Sequence, residues 1–253
     1  MDQYIDIHCH ILPGIDDGAR DLEESVAMAR RYVEAGFEAV VATPHFIPGT
    51  AWAADTAIIA AKIEVLQRRL EAEGVALTIH AGMEIAYHPH LPDRLQQGIL
   101  LPLAGGGHYL LEPSFHGSQE NMLHCVKKLL DTGRKVILAH AERIKSFQHN
   151  IDPLVRLAGQ GLEIQVNTGS LLDAFDAPCK ETALALLAAD SVHYLASDAH
   201  GPTRRPPPTK QDRQQLEKLI GPEALSRLWG ANPARLLVTP SDLIQQPLLD
   251  TVL

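Results

Sequence analysis

Cysteine is scarce in this 253-residue chain: Cys9, Cys125 and Cys179 are the whole complement, and no two of them form a CxxC pair. An odd, scattered count excludes a disulfide scaffold and fits a reducing compartment. Long hydrophobic runs are missing too, so no stretch of about 18 apolar residues could cross a membrane. The opening MDQYIDIHCH has no basic segment followed by an apolar one, so nothing directs export and the expectation is a cytoplasmic protein. Basic charge is in deficit, with 22 Lys and Arg against 31 Asp and Glu and a formal net charge of −9. Phosphate-backbone binding needs clustered Lys and Arg, so a nucleic-acid groove is not expected. No GxGxxG follows an apolar run, no Walker A motif occurs, and internal repeats and low-complexity blocks are absent.

What the chain does have is a regular alternation. Hydrophobic residues make up 45% of it and charged residues 21%, the balance of a globular protein with a large core. Short apolar runs occur at YIDIH, EAVVATPH, ALTIHAGME, HYLLEP, KVILAH, LEIQVNTG and VHYLASDAH, each too short for a helix and most followed by a helical pattern. Between the first two, Asp21 caps a helix with Glu24 three residues on, Leu22, Val26, Ala29 and Val33 form its apolar stripe, and Gly36 ends it. Further starts are expected at Asp55, Ser118, Asp152-Pro153, Pro178 and Thr209, with stops near Gly74, Gly133 and Gly161. GPTRRPPPTK, residues 201–210, reads as a loop. Strands alternating with helices imply parallel strands. Seven such units favour a closed or nearly closed (β/α) barrel, one domain over 1–253, over an open doubly wound sheet.

Polar residues fall on this pattern in a telling way. His8 and His10 end the first strand with Asp17 just beyond, His45 ends the second, Glu84 the third, Glu112 the fourth and His140 the fifth, while Asp198 and His200 end the seventh. A single Asp or His after a strand is ordinarily a cap or turn residue. Six strands of seven finishing on a metal-ligand type is not accounted for that way, because strand C-termini in an α/β barrel converge on one mouth. In an extended strand His8 and His10 share a side, so both imidazoles can face one ion. The donors are nitrogen and oxygen without sulfur, which favours Mn, Fe or Zn. Cys9, between the two histidines, points the other way as inert core.

These motifs resemble the PHP superfamily of polymerase and histidinol phosphatase domains, and within it the manganese-dependent bacterial tyrosine-protein phosphatases of the CpsB/YwqE type. DIHCHILPGIDDG (residues 6–18), TPHF (43–46), GMEI (82–85), LLEP (110–113), HAER (140–143), VNTGSL (166–171), SDAH (197–200) and ANPARLL (231–237) follow in the family's order and span nearly the whole chain. The resemblance implies a distorted, TIM-like (β/α)7 barrel and a site for up to three divalent ions, Mn2+ with Fe or Zn as alternatives. It places His8, His10, Glu84 and Asp198 on one ion, Glu84, Glu112 and His140 on a second, and Asp17, His45 and His200 on a third. Arg143 matches one phosphate-contacting arginine of the family and Arg205 another, with Arg204 beside it as the competing choice. Asp6 and Asp16 are left without a role. His88 and His90 read as a surface turn, His80 as a core residue or a support to Glu84, and His108, His116 and His124 as surface or packing residues.

The function implied is hydrolysis of phosphotyrosine by metal-activated hydroxide, linked to capsule and exopolysaccharide regulation, with a bacterial tyrosine autokinase as partner. Three divalent cations against four carboxylates leave a local charge of about +2 where the whole chain would repel a phosphate. A thiol route is excluded, since the positions six residues after Cys9, Cys125 and Cys179 hold Ile15, Asp131 and Ala185 rather than the arginine of a Cx5R motif. Alternatives are a histidinol-phosphate or other small-molecule phosphatase with the same ligands, and a non-catalytic metal-binding or polymerase-accessory module. An amidohydrolase would need a histidine where the sixth strand ends in VNTG.

Overall fold

The computed structural model describes residues 3–116 and 119–237. Nine strands are present among them: β1 (Tyr4–Cys9), β2 (Phe37–Ala42), β3 (His45–Phe46), β4 (Thr78–Ala81), β5 (Glu84–Ala86), β6 (His108–Glu112), β7 (Lys135–Leu138), β8 (Glu163–Asn167) and β9 (Tyr194–Ala196). Every pairing between them is parallel, in a three-stranded sheet ordered β1-β2-β4 and a six-stranded sheet ordered β3-β5-β6-β7-β8-β9. The second and third of the seven expected strands are each split in two. Pro44 has no N–H to continue a ladder. At Gly82 a Cβ would lie 2.8 Å from Val41 and 2.9 Å from Leu103, so the chain approaches its neighbours too closely for a side chain. Seven staves therefore form one curled wall. It closes between β9 and β1 through a bridge at Cys9 and Ala199, with the His10 amide donating to the Ala199 carbonyl at 2.8 Å and the Asp198 amide to the His8 carbonyl at 2.9 Å. The result is a nearly closed barrel, as the alternation implied, in the TIM-like, distorted seven-stave form that the resemblance implied.

Helices α1 (Leu22–Ala35), α2 (Thr56–Ala72), α3 (Leu91–Gln96), α4 (Glu120–Asp131), α5 (Lys145–His149), α6 (Asp152–Ala158), α7 (Thr168–Leu171) and α8 (Ala177–Ala188) connect the staves, and α9 (Lys210–Ile220) follows the last of them. Their starts follow the expected chemistry: Asp21, Asp55 and Thr209 accept amides of the first turn, and Thr209 with Asp212 forms a reciprocal capping box. Asp176 caps α8 one residue before the helix begins, leaving Pro178 inside the first turn. The start expected at Ser118 lies outside the described residues. In α1 the buried face is Val26, Met28, Ala29 and Tyr32, whereas Leu22 and Val33 are only half-buried. No helix among the described residues is long and apolar enough to cross a membrane.

Apolar side chains segregate by face. Ile5, Ile7, Ala39, Val41, Leu110, Ile137, Ala139, Tyr194 and Ala196 pack inside the barrel, where Leu103 and Leu236 join them. The larger cluster lies between wall and helices and includes Cys9, Val40, Leu111, Leu138 and Leu195. This alternation has one break. The register of β1 against β2 shifts between Asp6 and Cys9, where three steps on β1 match two on β2. A bulge of this kind re-aims the residues beyond it. Ile5 and Ile7 face inward, Asp6 faces outward to the Tyr32 hydroxyl (2.9 Å), and past the bulge His8 and His10 face the interior while Cys9 returns to the wall. Asp6 also accepts the His8 amide at 3.1 Å and the Ser197 amide at 3.2 Å, so its carboxylate satisfies backbone that the irregular ladder leaves over.

Ile137 is fully buried within the inner cluster beneath the mouth. Ile137→Ala is expected to cost about 2–5 kcal/mol of stability through lost packing and the cavity left behind, read from the midpoint of urea unfolding.

Candidate metal centre

The C-terminal ends of the staves bring all nine candidate ligands to the barrel mouth. Three groups of donor atoms form there, each with its atoms within 4.8 Å of one another: His8, His10, Glu84 and Asp198; His10, Asp17, His45 and His200; and His45, Glu84 and Glu112. The first matches the foursome expected for one ion. The second adds His10 to the expected Asp17, His45 and His200. The third joins His45 to the expected Glu84 and Glu112, while the expected His140 meets Glu84 through its Nε2, 2.9 Å from Oε1. Glu84 is the common member, fully buried, with its Oε2 3.3 Å from His8 Nε2, 3.2 Å from His10 Nε2 and 3.0 Å from His45 Nδ1.

These donors crowd together without satisfying each other. Asp17 Oδ1, His45 Nδ1, Glu84 Oε2, His140 Nδ1 and His200 Nε2 are buried and make no well-aligned hydrogen bond, the 3.0 Å approach of His45 Nδ1 to Glu84 Oε2 included. Buried polar atoms are almost always paired, so five orphans in one mouth are what a set of lone pairs arranged around cations leaves behind. The donor set, imidazole plus carboxylate without sulfur, suits divalent Mn, Fe or Zn.

Side chains outside the expected set hold the ligands in place. Asp16 Oδ2 meets His10 Nδ1 at 2.8 Å and accepts the His45 amide at 3.0 Å, while its Oδ1 accepts the Gly18 amide at 2.9 Å. The two aspartates of the DDG segment thus divide the work: Asp17 turns to the cluster and Asp16 orients one of its histidines. From β8, Gln165 Oε1 lies 3.1 Å from His8 Nδ1 and accepts the His140 amide at 3.3 Å, and its Nε2 donates to Asn167, whose Nδ2 donates to Asp198 Oδ2 at 3.1 Å. The one stave that ends without a ligand carries the orienting amides. Glu142, buried beside His140, accepts from the Ser170 hydroxyl (2.6 Å) and the Asn167 amide (3.0 Å) and so ties β8 to the turn bearing His140 and Arg143; burial pushes its carboxyl up to about 7.

Arg143 and Arg205 both reach Asp198 Oδ2, at 3.0 and 2.8 Å. Arg204 turns outward and donates to the Asp17 carbonyl at 2.7 Å. Three of these residues hold positive φ without being glycine: His140 (33°), Asp198 (54°) and Arg205 (47°). Such conformations cost about 1–3 kcal/mol each and persist where surrounding structure imposes them, typically at functional sites. The remaining histidines lie elsewhere. His88 and His90 lie in a surface turn, His88 half-buried and His90 exposed 3.5 Å from Asp93. His80 lines a separate cleft with Gln3, Glu38 and Gln67. His108 packs near Glu163, and His116 and His124 are exposed.

Electrostatically the cluster is a set of opposed charges in little water. Burial opposes a charge on His45, but the carboxylates of Asp17 and Glu84 outweigh it and raise the imidazole to about 10. Burial and then the neighbouring Glu84 charge push Glu112 up to about 7. Burial also opposes ionisation of Glu84 and Asp198, yet His8 and His10 beside them hold both well below the usual carboxylate range.

Comparison with known proteins places this geometry in a wider setting. The profile of the family described as "Capsular polysaccharide synthesis, CpsB/CapC" matches residues 4–238. Tyrosine-protein phosphatase YwqE of Bacillus subtilis (strain 168) is 32% identical over 243 residues, covering 96% of this chain and 94% of the relative. Tyrosine-protein phosphatase CpsB of Streptococcus pneumoniae is 29% identical over 241 residues, covering 92% and 98%. Among solved structures, a chain from the work describing YwqE and CpsB as "unique metal-dependent tyrosine phosphatases" superposes with a TM-score of 0.84 at 33% identity, over 92% of this chain and 94% of that one. The histidinol phosphate phosphatase of Lactococcus lactis shares the fold, with a TM-score of 0.60 at 16% identity over 86% and 92%.

Two outcomes are expected. Asp16→Asn keeps the fold but weakens binding of divalent metal by about 10–100-fold in calorimetric titration, since partners that orient a ligating histidine contribute on that scale. In chelator-treated protein, stability falls as pH rises from about 6.5 towards 10. His45 has a folded-state value of about 10 against an ordinary 6.5, so its contribution is complete below 6.5 and lost above 10, and Glu112, raised from 4.5 to about 7, acts in the same direction. Saturating Mn2+ reverses that slope, because metal binding favours the deprotonated ligands. Thermal midpoints measured across this pH range with and without metal read both signs.

Proposed function

The chain belongs to the CpsB/CapC capsular polysaccharide synthesis family, and from that premise we propose that it is a metal-dependent protein-tyrosine phosphatase. The observation that carries the reading is the row of unpaired buried donor atoms in one mouth, beside two inward-facing arginines. We assign His8, His10, Asp17, His45, Glu84, Glu112, Asp198 and His200, with His140 through its contact to Glu84, as the residues that hold up to three divalent ions, with Mn2+ preferred for the share of carboxylate donors. When bound, the ions supply Lewis acidity: they offset the charge of the phosphoryl oxygens and make water acidic enough to be a nucleophile near neutral pH.

The chain's own residues do the rest. A cavity of about 110 Å³ at the mouth is lined by His45, Glu84, Glu112, His140, Arg143 and Arg205 among others, and a phosphoryl group fits it. Arg143 and Arg205 each spend one nitrogen on Asp198, which leaves further donors of each guanidinium to hold the outer phosphoryl oxygens. Asp198 fixes the two arginines relative to the cluster, and Asn167 fixes Asp198. Phenolate, with a pKa of about 10, leaves more readily than an alkoxide and needs no strong general acid. That fits a cavity whose acidic side chains are all committed to the cluster.

In this reading residues 1–253 form one phosphatase domain acting in the cytoplasm, and the substrate is a phosphotyrosine protein, a bacterial tyrosine autokinase. Buried free cysteines agree with a reducing compartment. The relatives' names support the tyrosine specificity, whereas the histidinol phosphate phosphatase offers likeness of fold alone. Mn-loaded protein is expected to hydrolyse a phosphotyrosine peptide and chelator-treated protein to lose that activity; equal rates for the two would refute the reading. His140→Ala and Asp198→Ala are expected to lower kcat at least 100-fold, as groups of the reacting site do, while circular dichroism reports a retained fold.

A further inference from the structure

Exposed aromatic rings are few on this surface, and two of them lie against imidazoles of the candidate metal centre. Trp52, 37% exposed, stacks on His45 with centroids 5.5 Å apart and planes 12° from parallel. Phe115, 40% exposed, stacks on His140 at 5.7 Å and 23°. Since His45 and His140 both contact Glu84, at 3.0 and 2.9 Å, the two rings flank the same carboxylate. Arg143 lies between rings as well, its guanidinium 5.0 Å from the Phe115 centroid and 4.5 Å from that of Phe175.

The chain holds these rings in place. A short hairpin fixes Trp52, with the Ile47 amide donating to the Trp52 carbonyl at 2.7 Å beside a bridge between Phe46 and Ala53. Gln119 holds the Phe115 loop by donating to the Ser114 carbonyl at 2.8 Å. Phe175 lies over Gly169, where a Cβ would stand 3.1 Å from its ring. Each ring packs on an imidazole yet keeps more than a third of its surface open, and beside a phosphoryl cavity that open face is available to whatever the phosphate is attached to.

That cavity, about 110 Å³ with Phe115 in its wall, takes the phosphoryl group and leaves the rest of the ester outside. Among the described residues Phe115 is the one apolar side chain in that lining, and so the face on which the part just outside can pack. We propose that Phe115, with Trp52 on the far side of Glu84, forms an aromatic rim that packs the ring of an aryl phosphate ester and makes the site select aryl over alkyl phosphates. This rests on the phosphatase reading above and assigns the residues that set its substrate class. Arg143, held between Phe115 and Phe175, links the rim to the phosphate clamp.

Binding of non-hydrolysable probes tests it without the chemical step. Inhibition constants of phenylphosphonate and methylphosphonate are measured on Mn-loaded wild type, Phe115→Ala, Phe115→Leu and Trp52→Ala, with metal content and circular dichroism recorded for each. Wild type is expected to prefer phenylphosphonate, and Phe115→Ala to cut that preference about 3- to 10-fold, in line with the contribution of an aromatic pair beyond area burial. Phe115→Leu and Trp52→Ala should fall in between. A preference unchanged in Phe115→Ala, including the case where both probes weaken equally, overturns the proposal and leaves Phe115 as a support for Arg143. If metal-loaded wild type cleaves no phosphotyrosine peptide, the phosphatase reading fails instead, and the two failures are told apart by separate measurements.

Discussion

A carboxylate sealed from water, with four imidazoles around it, is the constraint on which this structure turns. Glu84 touches His8, His10, His45 and His140, and a buried charge so placed is costly unless paired. Each of those imidazoles arrives from a different stave end or its turn, apart from His8 and His10, which lie on β1 and just beyond it. The barrel is thus obliged to close, since an open sheet would carry Asp198 and His200 away from β1. The closing contacts, His10 to Ala199 and Asp198 to His8, are made by the backbone of candidate ligands themselves. Closure and site assembly are one event.

Around this centre the chain invests in orientation. Asp16 and Gln165 fix ring orientations of His10 and His8, Asn167 fixes Asp198, and Glu142 pins the turn carrying His140 and Arg143. Left-handed backbone at His140, Asp198 and Arg205 belongs to the same economy of strain. A chain with a formal charge of −9 needs local positive charge to admit a phosphate ester. Arg143 and Arg205 provide part of it, and the proposed divalent ions would provide the remainder.

Much of the scaffold was legible along the chain because each part follows from local rules. Short apolar runs between capped helical stretches mark the seven staves, and Asp21, Asp55 and Thr209 cap where their neighbours predict. The nine polar residues at six stave ends stand out because nothing local requires so many in that position. Gln165 and Asn167 were missed because amides in a strand carry no distinguishing pattern until the rings they meet are known. Asp16 was passed over because adjacent aspartates look alike; only the direction of each side chain separates them. Trp52, Phe115 and Phe175 gave no signal either, lying in loops whose course depends on the barrel.

By itself the sequence determined the class of fold, the number of staves and the identity of the polar groups at their ends, because alternation, capping and residue type act over a few neighbouring positions. The tertiary structure decided how those groups are shared. It set His45 beside Glu112 and His140 against Glu84 Oε1, turned Arg205 inward and Arg204 outward, and laid aromatic rings along the mouth. The bulge in β1 shows why: one extra residue in a ladder sends Asp6 to a helix and His8 to the interior, and a strand acquires that irregularity only from the neighbour it must pair with.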